Sequence, residues 1–302
     1  MSKPRDDHAH DNPDLDRGLA FDVSTLITRR RALAVIAGGT LAAVAGCTAT
    51  GAPGTPSATP SASGSVANAT TEIPDETAGP FPGDGSNGPN VLDDSGIVRS
   101  DIRSSFGEFS GLAEGVPLTI NLSLLNLDSD GAAYQGAAVY VWHCDANGAY
   151  SLYSEGATDQ NYLRGVQVTD ADGRVRFTSI FPAAYSGRWP HVHFEVYATE
   201  QDATSGGEPI STSQLALPQS ACDAVYATEA YASSVSNMAE TSLGDDNVFG
   251  EDDGVHQLAK VSGSVDAGYV ASLTVPIAAS TAATRTNAGE GGRPRGRDGQ
   301  PQ

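Results

Sequence analysis

Residues 181–197 read Phe181-Pro-Ala-Ala-Tyr185-Ser-Gly-Arg188-Trp-Pro-His191-Val-His193-Phe194-Glu-Val-Tyr197. Trp189 to Tyr197 reads as a strand, with polar and apolar side chains alternating from His191 as in a half-buried one. Alternate strand residues project to one face, so His191 and His193 aim at one spot. Two imidazoles on one face are half of a metal site. Tyr185 lies just upstream, and Tyr150 sits in a turn-like context on the preceding segment. An isolated His-x-His is more often a satisfied surface pair; the tyrosines and Arg188 turn the reading toward metal. Tyr153 and Tyr162 compete with Tyr150 as the second phenol.

Strand signals continue on both sides. Val116 to Leu127 alternates with Leu118, Ile120, Leu122 and Leu124 on one face, and Ala137 to His143 is a second strand closed by the turn Asp145-Ala-Asn147-Gly148. Residues 165–170 and 174–180 flank Ala171-Asp172-Gly173 and are expected to form a hairpin. Residues 255–261 and 269–277 complete the strands. Residues 213–233 are expected to be helical after Pro218, with Ser220 as a cap. The acidic stretch 244–254 lacks calcium-loop spacing and reads as solvated. Short strands separated by turn dipeptides predict an all-β fold, a Greek-key β-sandwich with long loops and one or two short helices.

The two ends fall outside that fold. Thr28-Arg29-Arg30-Arg31 precedes a short apolar, small-residue run ending in Val44-Ala45-Gly46-Cys47, which is too short for a comfortable membrane span. It predicts an export signal over 1–46, twin-arginine-like, with a lipobox that leaves Cys47 lipidated. Residues 47–70, rich in Ser, Thr, Pro and Ala, read as a disordered tether, and 281–302 as a disordered tail. Residues 71–280 are left as the single domain. The expected location is the cell surface, with the membrane engaged only through the lipid anchor.

The formal net charge is −20. Removing residues 1–46 takes away six Lys or Arg and six Asp, so the exported part is equally acidic. Such a surface repels nucleic acid. Outside the cytoplasm Cys144 and Cys222 can pair as a disulfide or remain two buried thiols; the pair is the expectation.

Several motifs together carry a family resemblance. Val139-Tyr-Val-Trp142-His143-Cys-Asp145-Ala-Asn-Gly148-Ala-Tyr150-Ser151 is followed in order by Arg164-Gly165, Thr169-Asp170, Phe177-Thr, Ile180-x-Pro182-x-x-Tyr185 and Arg188-x-x-His191-Val-His193-Phe194. With the lead-in Gly79-Pro80-Phe81, this resembles the intradiol ring-cleavage dioxygenases, which include catechol 1,2-dioxygenase and protocatechuate 3,4-dioxygenase. The chain departs from the family at Ala183, where Gly is usual, and in a shorter interval from Tyr185 to His191. The resemblance implies that Tyr150, Tyr185, His191 and His193 bind Fe(III), and that O2 and a catecholic small molecule are the substrates, giving a muconate-type diacid. It also implies that Tyr150 or Tyr185 takes a substrate proton and that Arg188 stabilises the anionic ring. Hard anionic oxygen suits ferric iron, and imidazole suits it as well.

Gly79, Pro80, Phe81 and Trp189 are expected to line the substrate pocket. Arg164 and Gln167 are candidates to orient the imidazoles from their far nitrogens. Trp142 reads as plain core, and His143 as a strand-end residue rather than a fifth ligand. The competing readings are a cupin-like site built from His-x-His with a distant Glu and His, and a non-catalytic β-sandwich that binds a sugar or protein. The number of subunits is left open, an oligomer included.

Overall fold

A computed structural model of the protein describes residues 71–280. The expected export signal, Cys47, the tether and the tail lie outside the described residues. Among those described, no helix is long and apolar enough to cross a membrane.

Two sheets carry the fold. In the first, β1 (Pro117–Asn126) runs parallel to β9 (Gly268–Ile277), and β9 pairs antiparallel with β8 (Lys260–Ser264). The other edge of β1 takes β2 (Ala132–Ala133) at its end and β5 (Arg174–Ile180) along its length. The second sheet is antiparallel throughout: β4 (Arg164–Val168), β3 (Ala138–Trp142), β6 (His191–Tyr197) and β7 (Ser211–Ala216), in that order. Three short α-helices lie after β6 and β7: α1 (Glu200–Thr204), α2 (Gln219–Tyr226) and α3 (Ala232–Ala239).

The alternation in β1 buries Leu118, Ile120, Leu122 and Leu124, as the period predicts. β3 and β6 are buried on both faces. One face meets the first sheet, for His143 at the end of β3 reaches across to Ser179 of β5 (Nε2 to Oγ, 2.6 Å). The residues of opposite parity, Tyr140 and Trp142 on β3 and His191, His193 and Glu195 on β6, face the other way. They are covered by the strap 74–83, which crosses the outside of the sheet: Glu76 N–H donates to Thr212 O (2.7 Å) and the Tyr140 hydroxyl to Pro82 O (2.7 Å).

Several local expectations change. The turn at 170–173 closes as predicted, with Asp170 N–H on Arg174 O (3.0 Å), but β4 and β5 do not form a hairpin. They separate into different sheets, because β1 offers β5 a seven-residue antiparallel ladder and β3 offers β4 a five-residue one. Residues 97–103 are an extended link that bridges both, Val98 to Val166 of β4 and Asp101 to Thr178 of β5. Residues 213–216 belong to β7, and helix starts at Gln219 behind Pro218; Ser220 is not the cap. The last hairpin begins at Lys260 rather than at 255.

Candidate metal centre

Tyr150 is delivered by the 145–149 turn. Asp145 Oδ1 accepts from the backbone N–H groups of Asn147 and Ala149 (2.8 and 3.0 Å), and Gly148 takes the left-handed φ of 86° that this turn needs. Tyr185 comes from the loop between β5 and β6, which is tied to the same turn by Ala183 N–H on Asp145 O (3.1 Å). One aspartate therefore fixes both phenol loops.

The four side chains converge. Tyr150 Oη lies 3.4 Å from Tyr185 Oη, Tyr185 Oη 3.2 Å from His191 Nε2, and His191 Nε2 3.1 Å from His193 Nε2. Donors each about 2 Å from one ion and about 90–110° apart stand roughly 3 Å from one another, so this is the spacing of a shared coordination sphere. Tyr153 and Tyr162 are engaged elsewhere: the first accepts from Gly83 N–H and the second donates to Asp145.

The protonation states suit a strongly charged cation. His191 Nδ1 is bonded to Trp189 O, a pure acceptor, so its proton sits there and Nε2 turns its lone pair to the centre. Burial, and after it Arg188, holds His191 neutral; burial, and after it His191, does the same for His193. Burial raises the Tyr150 hydroxyl well above its ordinary value and pushes Tyr185 up to about 12. A bound cation can take the place of these protons. Among the described residues no three His, Cys, Asp or Glu gather in one place, so the imidazole pair has no carboxylate or third histidine to complete a cupin-like site. Two hard phenol oxygens and two imidazoles fit ferric iron.

Arg188 sits beside this set, buried, in a network that the sequence did not reveal. Its Nε donates to Asp246 Oδ2 (3.0 Å) and its Nη2 to Gln214 Oε1 (2.6 Å), while the Gln214 amide donates to Thr77 O on the strap (2.9 Å). Asp246 belongs to the stretch read as a solvated acidic loop. Instead its carboxylate is buried and also accepts from the backbone N–H groups of Trp189, Val248 and Phe249. The Phe249 ring leans against His191 with centroids 6.4 Å apart.

Other sequence expectations are corrected. Trp189 does not line a pocket; it is buried with Nε1–H on Leu217 O (2.7 Å), and its carbonyl holds His191. Trp142, read as plain core, stacks on His193 (4.9 Å between centroids, planes within 5°), because the two are register partners on one face. Gln167 turns to its neighbour's carbonyl, Val166 O, away from both imidazoles. Arg164 instead fastens the strap, donating to Phe81 O and Pro82 O as well as to Ser151 and Tyr140. Cys144 and Cys222 are free and buried, each thiol directed at a backbone carbonyl, Ala183 O and Leu217 O. His143 is bonded to Cys144 O and Ser179 and points away from the donors.

Of the lead-in residues, Gly79 approaches His193 and the Phe81 ring packs on Tyr150 (5.1 Å) and Tyr153 (5.2 Å). Pro80 is held through its carbonyl by Asn87.

Residues 98–191 match the family model described as Dioxygenase, a stretch that carries Tyr150, Tyr185, Arg188 and His191. Over 58 residues the sequence is 41% identical to a chlorocatechol 1,2-dioxygenase of Rhodococcus opacus, covering 19% of this chain and 23% of that protein. It is 36% identical over 58 residues to a catechol 1,2-dioxygenase of Pseudomonas sp. (strain EST1001), 19% of each chain. The matched stretch spans about a fifth of the length of these curated relatives. In fold, the structure is similar to an intradiol ring-cleavage dioxygenase from Tetranychus urticae, with a TM-score of 0.55 at 22% identity, over 69% of this chain and 95% of that one.

Proposed function

We propose, from the premise that the chain belongs to the intradiol ring-cleavage dioxygenase family, that it cleaves catechol-type rings with O2 between the two hydroxyl-bearing carbons. The product is a muconate-type diacid, and both oxygen atoms of O2 end in it, so no external reductant enters the balance. Tyr150, Tyr185, His191 and His193 hold Fe(III). When bound, the ferric ion supplies Lewis acidity that binds the catecholate and draws electron density from its ring toward attack by O2. The observation that carries this reading is the unbroken run of contacts from Tyr150 Oη through Tyr185 Oη and His191 Nε2 to His193 Nε2.

The chain's own groups divide the remaining work. A phenol oxygen, Tyr150 Oη or Tyr185 Oη, receives a proton from the incoming diphenol. Trp189 O keeps the His191 proton on Nδ1, so Nε2 stays available as a ligand. Arg188 is fixed by Asp246 through Nε and by Gln214 through Nη2, which leaves Nη1 to face negative charge that develops on the ring. The strap carrying Gly79 and Phe81 walls the donor set from one side and limits access of water.

The test is incubation of the ferric-loaded protein with a panel of catechols under oxygen, with products identified by mass. Gain of two oxygen atoms with fission between the hydroxyls is expected; fission beside them, or no turnover of any catechol, overturns the assignment. Surface attachment through a lipidated Cys47 is part of the same proposal, and radiolabelled fatty acid should appear on the wild-type chain but not on Cys47→Ala.

A further inference from the structure

The two imidazoles are not held alike. His191 has the usual support of a metal-binding histidine, a backbone carbonyl on its far nitrogen. His193 has none: its Nδ1 is buried and without a partner. The polar residues around it are committed elsewhere: Gln167 to Val166 O, Arg164 to the strap, Gln214 to Arg188 and Thr77 O, and Glu195 to the Tyr197 hydroxyl. Something else must fix the ring, since a side chain free to turn about its Cα–Cβ and Cβ–Cγ bonds is a poor ligand.

Two contacts do so. The Trp142 indole lies parallel to the imidazole at 4.9 Å and within 5°. Trp142 is itself backed by Tyr140 (4.9 Å, 22°), whose hydroxyl is pinned between Pro82 O and Arg164. At its Cε1 edge the imidazole meets the backbone of Gly79, so closely that a Cβ there would stand 3.3 Å from Cε1 and 3.8 Å from Nε2. Gly79 also has φ of 71°, where a side chain is strained. The strap is fastened on both sides of it, by Gln214 at Thr77 O and by Tyr140 and Arg164 at Pro82 O, so it does not readily give way.

We propose that Trp142 and Gly79 are positioning residues that clamp His193 by ring stacking and backbone contact, in place of the hydrogen-bond partner it lacks. The inference rests on the metal reading above and adds an asymmetry to it. His191 is oriented by a polar bond, while His193 is oriented by packing and is the ligand whose hold on the metal depends on the strap.

The test is metal retention, which requires no turnover. The full chain is loaded in parallel with Fe(III) and Zn(II) and challenged with excess chelator, the release rate being read alongside far-UV circular dichroism. Trp142→Leu should release metal faster, on the order of tenfold or more, the scale on which loss of a ligand's support weakens binding. Trp142→Phe, which keeps a ring face, should stay close to wild type. A folded Trp142→Leu that retains metal like wild type overturns the proposal, as does a Phe variant that fails as badly as the Leu one. If Trp142→Leu does not fold, Gly79→Ala decides: faster release supports the clamp, and an unchanged rate overturns it. A wild-type chain that holds zinc but refuses ferric iron would defeat the ferric reading while leaving this comparison intact.

Discussion

Replacing Asp246 with alanine should destabilise the whole fold by about 4 kcal/mol, within the 3–5 kcal/mol range for removing one partner of a buried ion pair. The structure gives the reasons. The carboxylate is buried and takes four bonds: Arg188 Nε at 3.0 Å and Trp189 N–H at 2.6 Å on one oxygen, Val248 and Phe249 N–H at 2.8 and 3.1 Å on the other. Burial alone would favour the neutral acid, but Arg188 and then the Trp189 amide outweigh it and hold the carboxyl below its ordinary 3.8. A folded value below the unfolded one means that this contribution is present above about pH 4 and lost as the pH falls through the folded value. Alanine leaves the Arg188 charge buried without its counter-ion and three amide donors without an acceptor. In urea the midpoint should fall by roughly 1.5 M, taking a slope near 2.5 kcal/mol/M. The neighbouring Asp245, exposed and bonded only within its own turn, is the control, and Asp245→Ala should cost under about 1 kcal/mol. If Asp246→Ala is as mild as Asp245→Ala, the ion pair is not what holds Arg188 and the 242–254 loop in place.

Three further outcomes are expected. Tyr185→Phe should weaken the tyrosinate-to-iron charge-transfer colour expected of the ferric-loaded protein, Tyr150 still contributing; an optical spectrum as intense as wild type would remove Tyr185 from the donor set. His143, held neutral by burial at about 4 against an ordinary 6.5, should make the metal-free fold lose about 3 kcal/mol between pH 7 and pH 4, because the unfolded chain takes up that proton first. His143→Asn should flatten the pH dependence by that amount in urea unfolding, and parallel curves for the two proteins would refute it. Alkylation of denatured, unreduced protein should label both Cys144 and Cys222, whereas a cross-linked peptide pair in the mass spectrum would contradict the two free thiols.

What the sequence made legible was what depends on short range. Strand parity brings His191 and His193 to one face whatever the rest of the fold does, and the alternation in β1 places Leu118 to Leu124 without knowledge of their partners. What it concealed depends on register between distant strands. That the Trp142 ring stacks on an imidazole follows from pairing Trp142 with His193 across β3 and β6, a pairing 51 residues apart in sequence. Asp246 was concealed for a related reason. Its neighbours Asp245 and Asp253 do behave as a solvated acidic stretch, and composition offers nothing to separate the one carboxylate that turns inward to Arg188, 58 residues earlier. The predicted hairpin failed because a correct local turn says nothing about which sheet each arm will join.

The polar face of β6 sharpens this point into a physical claim about the site. The run His-Val-His-Phe-Glu-Val-Tyr alternates as if one face met water, yet every residue of it is buried. The strap and the 242–254 loop cover the polar side, and covering it obliges each polar group to find a partner. Most do: Arg164 and Asp246 satisfy themselves several times over, and the Tyr197 hydroxyl donates to Glu195 (2.7 Å). Two that fail, Trp142 Nε1 and His193 Nδ1, belong to the same stacked pair beside the donor set. The donor atoms themselves, two phenol oxygens and two imidazole Nε2 atoms, are left in contact only with one another around one point, a set that a cation at that point would bind. A ligand that binds only the folded chain stabilises it by mass action, so ferric loading should raise the unfolding temperature in proportion to affinity. If the loaded and metal-free proteins melt together, the convergence of these four side chains is packing and not a metal site.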